Sequence, residues 1–452
     1  MQLARYRNIL GLRTRSGKFL GFHVRNLQVA ELSPELWDVL RKDMRSPSEA
    51  RAELEAWNEE VDPSTVDADI PQKVRSLMVN VVQACNLKCV YCAAGGDGSF
   101  GAAMKQVETE IIEEQIRTLL HDIPNGGEFS LTFFGGEPLL VPDTIRRLAR
   151  FTKLQAAGRD IRVRFYLITN GTLVTPAIAE LLAEIGCHVT VSIDGPPEVH
   201  DQNRVSRGGL GSSARTLRGI ETLMRVRDRL GSISAGAVFG KHNTDVLRTY
   251  QYLKPLGFDS LKFDFAAAEG DSEASRAYMR SLAETADYAY AIGGEKELRR
   301  IEQFDSYFRA LDERRRLHNH CGAGKSHLTT DGRGRLTACQ WFAGTESEEI
   351  GRGLTIDHEK LHAYAPRLNE LNQCGACWAR YLCGGGCMYV NQLKNGSKQK
   401  KDKDFCDRIR NTIAKAIEYY AEARLETVER KDGYETHQKS EAQEYGEHVV
   451  GQ

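Results

Sequence analysis

The stretch that decides the fold is Ser76-Leu-Met-Val-Asn-Val-Val-Gln-Ala-Cys85-Asn-Leu-Lys-Cys89-Val-Tyr-Cys92, an apolar strand that runs directly into three closely spaced cysteines. Three thiolates on one short loop can hold three irons of a 4Fe-4S cubane, which leaves the fourth iron open for a small ligand. A structural zinc site is the alternative, but it needs four closed ligands, and the segment offers no fourth Cys or His nearby. The CxxxCxxC spacing therefore predicts an iron–sulfur cluster with one open iron.

Strand and helix patterns alternate along the chain from this point. The predicted strands are 76–83, 129–134, 162–169, 188–193, 234–239 and 260–265. Helical periodicity lies between them, near 106–121, 143–156, 176–186, 213–229 and 244–256. Six strands with intervening helices indicate an α/β protein with a parallel sheet. Right-handed crossovers would roll such a sheet into a partial (β/α)6 barrel.

Polar motifs follow three of the other predicted strands, at the point where each strand ends. The second strand runs into Gly135-Gly-Glu-Pro138, the third ends in Thr169-Asn-Gly-Thr-Leu173 and the fourth in Ser192-Ile-Asp-Gly195. Each motif alone is compatible with a turn. The carboxyl ends of barrel strands share one mouth, however, so we expect the motifs to converge with the cysteines on one site.

This order of motifs, with the aromatic Tyr91 before the third cysteine, resembles the radical S-adenosylmethionine (SAM) superfamily over about residues 75–270. The resemblance implies that the open iron chelates the amino and carboxylate groups of S-adenosylmethionine. It also implies that one electron from the reduced cluster yields methionine and a 5′-deoxyadenosyl radical, which takes a hydrogen atom from the substrate. An electron donor such as flavodoxin or ferredoxin would then be a partner.

The resemblance also assigns roles to single residues. Gly135, Gly136 and Glu137 would bind the methionine amino group, and Ser192 would face ribose or carboxylate. Arg204 and Arg215 are alternative partners for the methionine carboxylate. The expected cofactor contacts are Tyr91, Gly135, Gly136, Glu137, Asn170, Ser192, Asp194, Arg204 and Arg215. The candidate catalytic residue is Asp264, at the end of the sixth strand, which would either face the cavity or pair with Lys262.

A second group of cysteines occupies the C-terminal third of the chain: Cys321, Cys339, Cys374, Cys377, Cys383, Cys387 and Cys406. Two zinc sites are one interpretation. The order of these cysteines, with Gly334 before Cys339, resembles the SPASM extension of radical SAM enzymes over about residues 315–410. That resemblance implies two auxiliary 4Fe-4S clusters, hence three in all. An outer one would be held by Cys374, Cys377, Cys383 and Cys406, and an inner one by Cys321, Cys339 and Cys387.

The inner cluster is therefore one ligand short. Some relatives have an extra Cys six residues after the first, and here that position is His327. We hypothesise that the inner cluster either keeps an open iron or is weakly ligated by His327. A substrate thiolate could bind an open iron, because soft sulfur suits an iron–sulfur centre. The alternative is that His327 is only a polar loop residue.

The regions outside the barrel complete the domain plan. We expect an N-terminal domain at 1–70, the barrel at 71–271, a helical bridge at 272–319, the auxiliary-cluster domain at 320–410 and a C-terminal helix with a polar, frayed tail at 411–452. A hairpin within 8–28 and helices from Ser33 and Pro47 are predicted in the first of these. This region is similar to the small winged-helix element to which a leader peptide adds a strand. A plain capping domain is the alternative.

Composition excludes several other functions. The net charge of -1 gives no reason to expect nucleic acid or an anionic membrane as a partner. No apolar run is long enough for a membrane span, and the N-terminus does not resemble a signal peptide, so a reducing cytoplasm is expected. In that compartment closely spaced cysteines are more often metal ligands than disulfides. The isolated Cys187 is predicted to be a small buried hydrophobe.

The resemblance further implies an oxidoreductase that acts on peptides, since SPASM enzymes act mostly on peptides or proteins. Sulfatase maturation is put in doubt by Gln340, which stands where that subgroup has an Asp after the second cysteine of the region. The segments around Cys321 and Cys339 look more like maturases of ribosomally made peptides that form thioethers. Carbon–carbon crosslinking, epimerisation and splicing remain alternatives. A non-catalytic iron–sulfur scaffold or electron carrier is the hypothesis from a different class.

Overall fold

The structure, a computed structural model, describes residues 2–42, 48–92 and 107–446, with side chains described as far as residue 425. Pro47, the predicted start of the second helix, lies outside the described residues. No helix within the described part of the chain is long and apolar enough to cross a membrane.

The N-terminal region is an α+β unit in which a four-stranded antiparallel sheet precedes two helices. Its strands are β1 (Gln2–Tyr6), β2 (Ile9–Arg13), β3 (Phe19–His23) and β4 (Gln28–Glu31), in that order across the sheet. The predicted hairpin is β2–β3, with Ile9 opposite His23. Helices α1 (Pro34–Lys42) and α2 (Glu49–Glu59) begin at serine caps, since Ser33 accepts from Leu36 N and Ser48 accepts from Arg51 N. Their apolar residues pack against Ile9 and Leu32.

Six parallel strands form the centre of the molecule. They are β6 (Ser76–Val82), β7 (Glu128–Gly135), β8 (Arg162–Thr169), β9 (His188–Ser192), β10 (Ser232–Phe239) and β11 (Ser260–Phe265), neighbours in chain order. The connections contain α3 (Thr109–His121), α4 (Pro142–Ala157), α5 (Pro176–Glu184), α6 (Pro197–Asn203), α7 (Ser213–Met224) and α8 (Val246–Leu253). The predicted α/β fold class is confirmed. Alternate strand residues such as Val79, Phe133 and Leu167 are fully buried under the helices.

The C-terminal cysteine-rich region is hydrogen-bonded into the same sheet. Its strands are β13 (His327–Thr330), β14 (Arg335–Thr337), β15 (Glu349–Arg352) and β16 (Thr355–Ile356). Strand β13 pairs in parallel with β6, with Met78 opposite Thr329, so the sheet has ten strands. Short helices carry the rest: α11 (His358–His362), α12 (Leu368–Leu371), α13 (Arg380–Cys383) and α14 (Met388–Asn395).

Long helices connect and cover these regions. Helix α9 (Ser272–Leu298), which is kinked at Gly294, and helix α10 (Glu302–Asp312) form the predicted bridge. A two-stranded sheet pairs β5 (Val66–Ala68) with β12 (Arg315–Leu317). Helix α15 (Lys403–Gly446) packs on α9 through buried residues that include Ile413 and Ile417. Within the predicted C-terminal segment 411–452, the described residues as far as Gly446 continue helix α15.

Candidate functional site

The first three cysteines lie on the loop that follows β6. Burial, together with the charges on Glu137, Cys89 and Cys92, raises the pKa of Cys85 to about 11, so the three thiols are close neighbours. Among the described residues, no three His, Cys, Asp or Glu side chains close around one ion. A cubane is larger than a single metal ion, so the thiolates that hold a cubane lie farther apart than the ligands of one ion. Three neighbouring thiols on one loop therefore fit such a cluster as a donor set.

The two glycines of the second strand end allow this loop to pack closely. Gly136 N donates to Val82 O at 2.7 Å, and Glu137 N donates to Ala84 O at 3.0 Å. A Cβ at Gly135 would collide with the Val82 carbonyl, and one at Gly136 with the Ala84 carbonyl. Gly135 also has a φ of +138°, which disfavours any other residue. The glycines thus hold the end of β7 against the segment that enters the cysteine loop.

The Glu137 carboxylate is fully buried and is bound by the protein itself. It accepts from Thr169 Oγ1 at 2.6 Å, from Asn170 N at 2.8 Å and from Leu139 N at 3.1 Å. Burial raises its pKa to about 7, against the effect of these three donors. The structure therefore places this side chain between the ends of β7 and β8. Binding of an ammonium group would fall to backbone atoms of the motif instead.

Asn170 lies beside the first cysteine. Its Nδ2 donates to Asn86 Oδ1 at 2.9 Å and approaches Cys85 Sγ at 3.9 Å. Its Oδ1 accepts from the backbone and the hydroxyl of Thr172. Hydrogen bonds to cluster sulfurs tune their reduction potential, so Asn170 is placed to adjust the cluster as well as to line the mouth.

Asp194 is the centre of a buried charged network at the end of β9. Its carboxylate accepts from the Tyr91 hydroxyl, from Arg204 Nη2 at 3.0 Å and from Val238 N at 3.1 Å. The Arg204 guanidinium lies 5.4 Å from the Tyr91 ring centroid. Burial lowers the Arg204 pKa, but the charges on Asp194, Tyr91 and Cys89 outweigh this and raise it overall. This network fixes the cysteine loop against the barrel.

The two candidate arginines, Arg204 and Arg215, have different environments in the structure. Arg204 is buried and committed to Asp194, whereas Arg215 lies in the first turn of α7. The next residue, Thr216, donates to Asn170 O at 3.0 Å, which brings this helix end to the end of β8. Ser192 is half-buried and pairs with Gly236 in register. Arg215 thus remains the candidate for a carboxylate, and Arg204 holds the loop.

His200, which the sequence did not single out, supports the network in its neutral form. Its Nδ1 accepts from Asp194 N at 3.4 Å, and its Nε2 lies 2.9 Å from Ser212 Oγ. Because Ser212 Oγ donates to Arg204 O, His200 Nε2–H must donate to Ser212. Burial, followed by the charge of Arg204, lowers the His200 pKa to about 4.

This shift predicts that acid destabilises the protein. Unfolded His has a pKa near ~6.5, so the unfolded state binds more protons and stability is lost as pH falls from about 6.5 to about 4. At most about 3 kcal/mol comes from His200. We expect His200→Asn to lose less unfolding free energy than the wild type between about pH 7 and about pH 5 in urea titrations. The exposed His121→Asn control should behave like the wild type, and equal losses in both variants would refute the assignment.

Asp264 lies on the inner face of the sheet and pairs with Lys262 at 3.3 Å. Ser192 and Lys262 share that face because both pair with Gly236. The charge of Asp264 raises the pKa of Lys262. Burial lowers the pKa of His320, the charge of Lys262 lowers it as well, and the charge of Asp264 raises it. Both side chains of the Lys262–Asp264 pair are about half-exposed. The pairing with Lys262 is one of the two alternatives that the sequence indicated, whereas no local signal in the sequence marked His320.

The structure brings the seven later cysteines into two groups. Burial, together with the charges on Cys406, Cys377 and Cys374, raises the pKa of Cys383 to about 12. Burial, together with the charges on Cys321 and Cys387, likewise raises the pKa of Cys339 to about 12. The groups of four and three match those that the resemblance implies. The clusters that they would hold stay a prediction.

His327 has hydrogen-bond partners other than a cysteine. Its Nδ1 lies 3.2 Å from Ser76 Oγ, and its Nε2 lies 3.4 Å from Thr329 Oγ1. Burial alone lowers its pKa to about 4, with no contribution from Cys321 or Cys339. The structure therefore favours the hypothesis of a three-cysteine inner group over ligation by His327.

A cavity of about 820 Å³ opens between the first cysteine loop and the inner group. Tyr91 and Cys92 line one wall, and Trp341 and Tyr389, which follow Cys339 and Cys387, line the other. Further lining residues are Val90, Lys241, His242, Ala266, Ala268, Glu269, Phe342, Ala343, Thr345, Ser347, Glu348, Gln392 and Leu393. His242 stacks on Tyr91 with ring centroids 4.7 Å apart. Sequence patterns gave no sign of this stack, because 151 positions separate the two rings.

A parallel partial barrel with three cysteines at its mouth and a glycine-rich second strand end defines a radical SAM domain. Residues 79–260 match the family model described as the radical SAM superfamily, so this part of the chain is a radical SAM domain and the chain is an enzyme. The chain is 26% identical over 338 residues to the AdoMet-dependent heme synthase of Methanosarcina barkeri. The match covers 69% of this chain and 90% of that protein. The chain is 24% identical to the serine-type anaerobic sulfatase-maturating enzyme of Klebsiella pneumoniae, over 72% of this chain and 84% of that protein.

Solved structures share the fold over most of the chain. A structure of anSMEcpe with bound AdoMet superposes with a TM-score of 0.64 at 21% identity, and covers 79% of this chain and 95% of that one. SuiB of Streptococcus suis bound to the precursor peptide SuiA has a TM-score of 0.53 at 14% identity, with coverage of 89% and 100%. The fold therefore extends through the region of the later cysteines.

Proposed function

We propose that the protein is a maturase that modifies a peptide or protein and closes an intrapeptide thioether. The observation that carries this proposal is the composition of the 820 Å³ cavity. One wall belongs to the first cysteine loop, and the aromatic residues Trp341 and Tyr389 of the opposite wall each come two positions after a cysteine of the inner group. A substrate residue in the cavity would therefore lie between the two groups. Relatives and structural neighbours that are named for peptide or sulfatase maturation support a macromolecular substrate.

The residues at the mouth fit S-adenosylmethionine and a cluster by their chemistry. When bound, these groups supply one electron and a radical that removes a hydrogen atom from the substrate. Arg215 would hold the carboxylate, and the Gly135–Gly136 backbone would hold the amino group. Asp194 and Arg204 keep the cysteine loop in place, and His242 with Tyr91 forms a flat apolar wall. Trp341, Phe342 and Tyr389 keep water from the opposite side.

The preference for a thioether comes from the inner group. Three cysteines leave one iron of a cubane without a protein ligand, because His327 is bound to Ser76 and Thr329. A substrate thiolate is a suitable ligand for such an iron. A thioether joins that sulfur to carbon. The C–H hydrogen atom would pass to the 5′-deoxyadenosyl radical, the S–H proton to solvent and the remaining electron to the clusters of the later cysteines, so the product is lighter by two hydrogen atoms.

Mass spectrometry tests the proposal directly. The enzyme would be co-expressed without oxygen with each short open reading frame beside its gene. We expect one peptide to lose two hydrogen atoms and one thiol that iodoacetamide can alkylate. The same mass loss with every thiol still free would indicate a carbon–carbon crosslink, and an unchanged mass would indicate epimerisation. Reduced, reconstituted enzyme that forms no 5′-deoxyadenosine would instead indicate a scaffold or an electron carrier.

A variant of the inner group distinguishes the formation of 5′-deoxyadenosine from the crosslinking of the peptide. Cys339→Ala leaves the first cysteine loop intact, so we expect 5′-deoxyadenosine to form at close to the wild-type rate. The rate at which crosslinked peptide forms should fall at least about 100-fold, because the inner group can no longer bind the substrate sulfur. Chromatography of both products from one reaction gives the measurement. A Cys339→Ala enzyme that still crosslinks would contradict the role of the inner group.

Sulfatase-type maturation is the second candidate, because the chain is similar to sulfatase-maturating enzymes. Gln340 is the argument against it. Its side-chain oxygen lies 3.7 Å from Cys339 Sγ, where a carboxylate would place a negative charge beside the inner group. Sulfatase-derived peptides distinguish the candidates, since that chemistry produces an aldehyde that hydrazides capture, whereas a thioether does not react.

A further inference from the structure

The loop that carries two cysteines of the outer group, residues 372–377, is bound by cations through its carbonyl groups. Lys401 Nζ donates to the first two carbonyl oxygens of this loop, at 3.1 Å each. Arg380 Nη1 donates to Cys377 O at the end of the loop, also at 3.1 Å. Neither cation pairs with a carboxylate among the residues that the structure describes. Both charges therefore act on the loop without a neutralising partner.

A third cation reaches the same loop from the N-terminal α+β unit. Arg5, on β1, donates from Nη1 to Ala376 O, between the two cysteines. Asn8 of the same unit accepts from Arg380 Nη2 at 3.2 Å. Burial and the charge of Arg380 lower the pKa of Arg5, whereas the charge of Cys377 raises it. No described carboxylate pairs with Arg5, so the N-terminal unit adds an unpaired positive charge to the outer group across 371 positions of sequence.

The thiols of the outer group are affected by these charges. Burial raises the pKa of Cys374, and the charges of Lys401 and Arg380 lower it. Burial likewise raises the pKa of Cys406, whereas the charges of Arg410 and Lys401 lower it. Arg410 differs from the three unpaired cations in that it has a carboxylate partner. The outer group is therefore surrounded by positive charge in excess of negative charge.

The inner group has no comparable set of cations. The charges that act on Cys339 are those of Cys321 and Cys387. Burial and two backbone N–H groups are the influences on the pKa of Cys387. In the described part of the chain, Lys398 lies near this region, but it pairs with Glu348 at 2.7 Å. The two groups thus differ in their electrostatic environment.

One short segment joins the two groups. Cys383 of the outer group and Cys387 of the inner group are separated by three glycines, 384–386, so their Cα atoms lie at most about 14 Å apart. The φ angles of these glycines are +68°, +101° and +87°, which disfavour any other residue. A Cβ at Gly384 or Gly385 would also collide with backbone packed against the segment. The groups are therefore held close enough to exchange an electron.

We propose that Arg5, Arg380 and Lys401 give the outer cluster a higher reduction potential than the inner one, so that the electron released in crosslinking comes to rest on the outer cluster. The inference rests on the proposed function for that electron and for a substrate thiolate on the inner cluster. With this thiolate both clusters have four sulfur ligands and equal charge, so the surrounding charges decide. Reduction adds one negative charge, which unpaired cations stabilise. The substrate radical is oxidised by one electron, and the outer cluster is reduced by one.

A redox titration of the anaerobically reconstituted full-length protein, followed by electron paramagnetic resonance, tests the order of the potentials. The Cys89→Ala background lacks the first cluster, and 2-mercaptoethanol supplies the fourth sulfur ligand of the inner cluster. We expect the outer cluster to be reduced first. Addition of Cys339→Ala removes the inner cluster and assigns the signals. Reduction of the inner cluster first would overturn the proposal.

Two variants of Arg5 test its charge. Arg5→Gln keeps a donor for Ala376 O but loses the charge. The equilibrium constant for reduction of the outer cluster should then fall about tenfold, a shift of about 59 mV for a one-electron couple. Arg5→Lys keeps the charge and should stay close to the wild type. Arg51→Gln on α2, whose native side chain pairs with Glu55, is the matched control and should shift neither potential.

Equal falls in both Arg5 variants, or an unchanged potential in Arg5→Gln, would overturn the proposal. Lys401→Gln should lower the outer potential by a similar amount, and it provides the test if Arg5→Gln fails to assemble its clusters. Wild-type enzyme with the expected order of potentials but without thioether formation would refute the proposed function and leave the charge effect standing. Thioether formation together with unchanged outer potentials in Arg5→Gln and Lys401→Gln would refute this inference alone.

Discussion

Replacing Cys89 by alanine is expected to abolish 5′-deoxyadenosine formation and to lower the iron content by about 4 atoms per chain. Cys89 lies between Cys85 and Cys92 on the loop after β6, beside the buried Arg204. Burial raises its pKa, whereas the charge of Arg204 lowers it. A thiolate at this position is therefore supported by a fixed cation. With two cysteines left, the loop cannot hold a cubane that also keeps one iron open.

Cys187→Ala is the matched control for this variant. Cys187 is fully buried in the core under β9, as the sequence predicts, and belongs to neither cysteine group. Its replacement should cost about 1 kcal/mol of stability and leave iron content and 5′-deoxyadenosine unchanged. Iron analysis and chromatography on anaerobically reconstituted enzyme give both values. Wild-type activity in Cys89→Ala would remove the basis for the reaction proposed above.

Replacing Asp194 by alanine is expected to lower the free energy of unfolding by about 3–5 kcal/mol. Asp194 is fully buried, and its loss leaves the Arg204 guanidinium charged and without its ion-pair partner at a site that is only 8% exposed. The Tyr91 hydroxyl and Val238 N lose an acceptor at the same time. Because this network holds the cysteine loop, the variant should also lose most of its SAM cleavage. Urea titration measures the first effect and product analysis the second.

A double-mutant cycle and a surface control define the cause. Asp194→Ala combined with Arg204→Ala should destabilise the protein by less than the sum of the single variants, since no charge remains unpaired. The exposed pair Arg229–Glu180 is the control, and Glu180→Ala should cost no more than about 1 kcal/mol. Additive losses in the Asp194–Arg204 cycle would show that the two residues act independently.

The barrel was predictable because its strands are continuous apolar runs. All six predicted parallel strands are present, and the largest shift of a single strand end is at β10, which begins at Ser232 instead of residue 234. The outer strands β1 and β4 were not predicted, because Gln2–Tyr6 and Gln28–Glu31 are short and largely exposed. Strands β13 to β16 were missed for a related reason. They have two to four residues each, and their pairing depends on β6, far away in sequence.

The candidate site was predictable as a set of positions but not as a set of contacts. The strand-end motifs indicated which residues meet at the mouth, because barrel topology alone brings them there. Topology does not specify side-chain direction. The Glu137 carboxylate points into the protein, and Arg204 rather than Arg215 joins Asp194. Such choices depend on packing among several elements, which local sequence patterns do not encode.

The ten-stranded sheet has a consequence for substrate selection. Because β13 is hydrogen-bonded to β6, the two sides of the reaction cavity are parts of one continuous framework. A one-residue slip between them would turn every side chain of β13 to the opposite face. Within the described part of the chain, this pairing thus sets the distance between the two walls of the cavity. In the reaction proposed above, a substrate would be accepted by the fit of its reacting residue to that fixed width, and little binding energy would be spent on closing the enzyme around it.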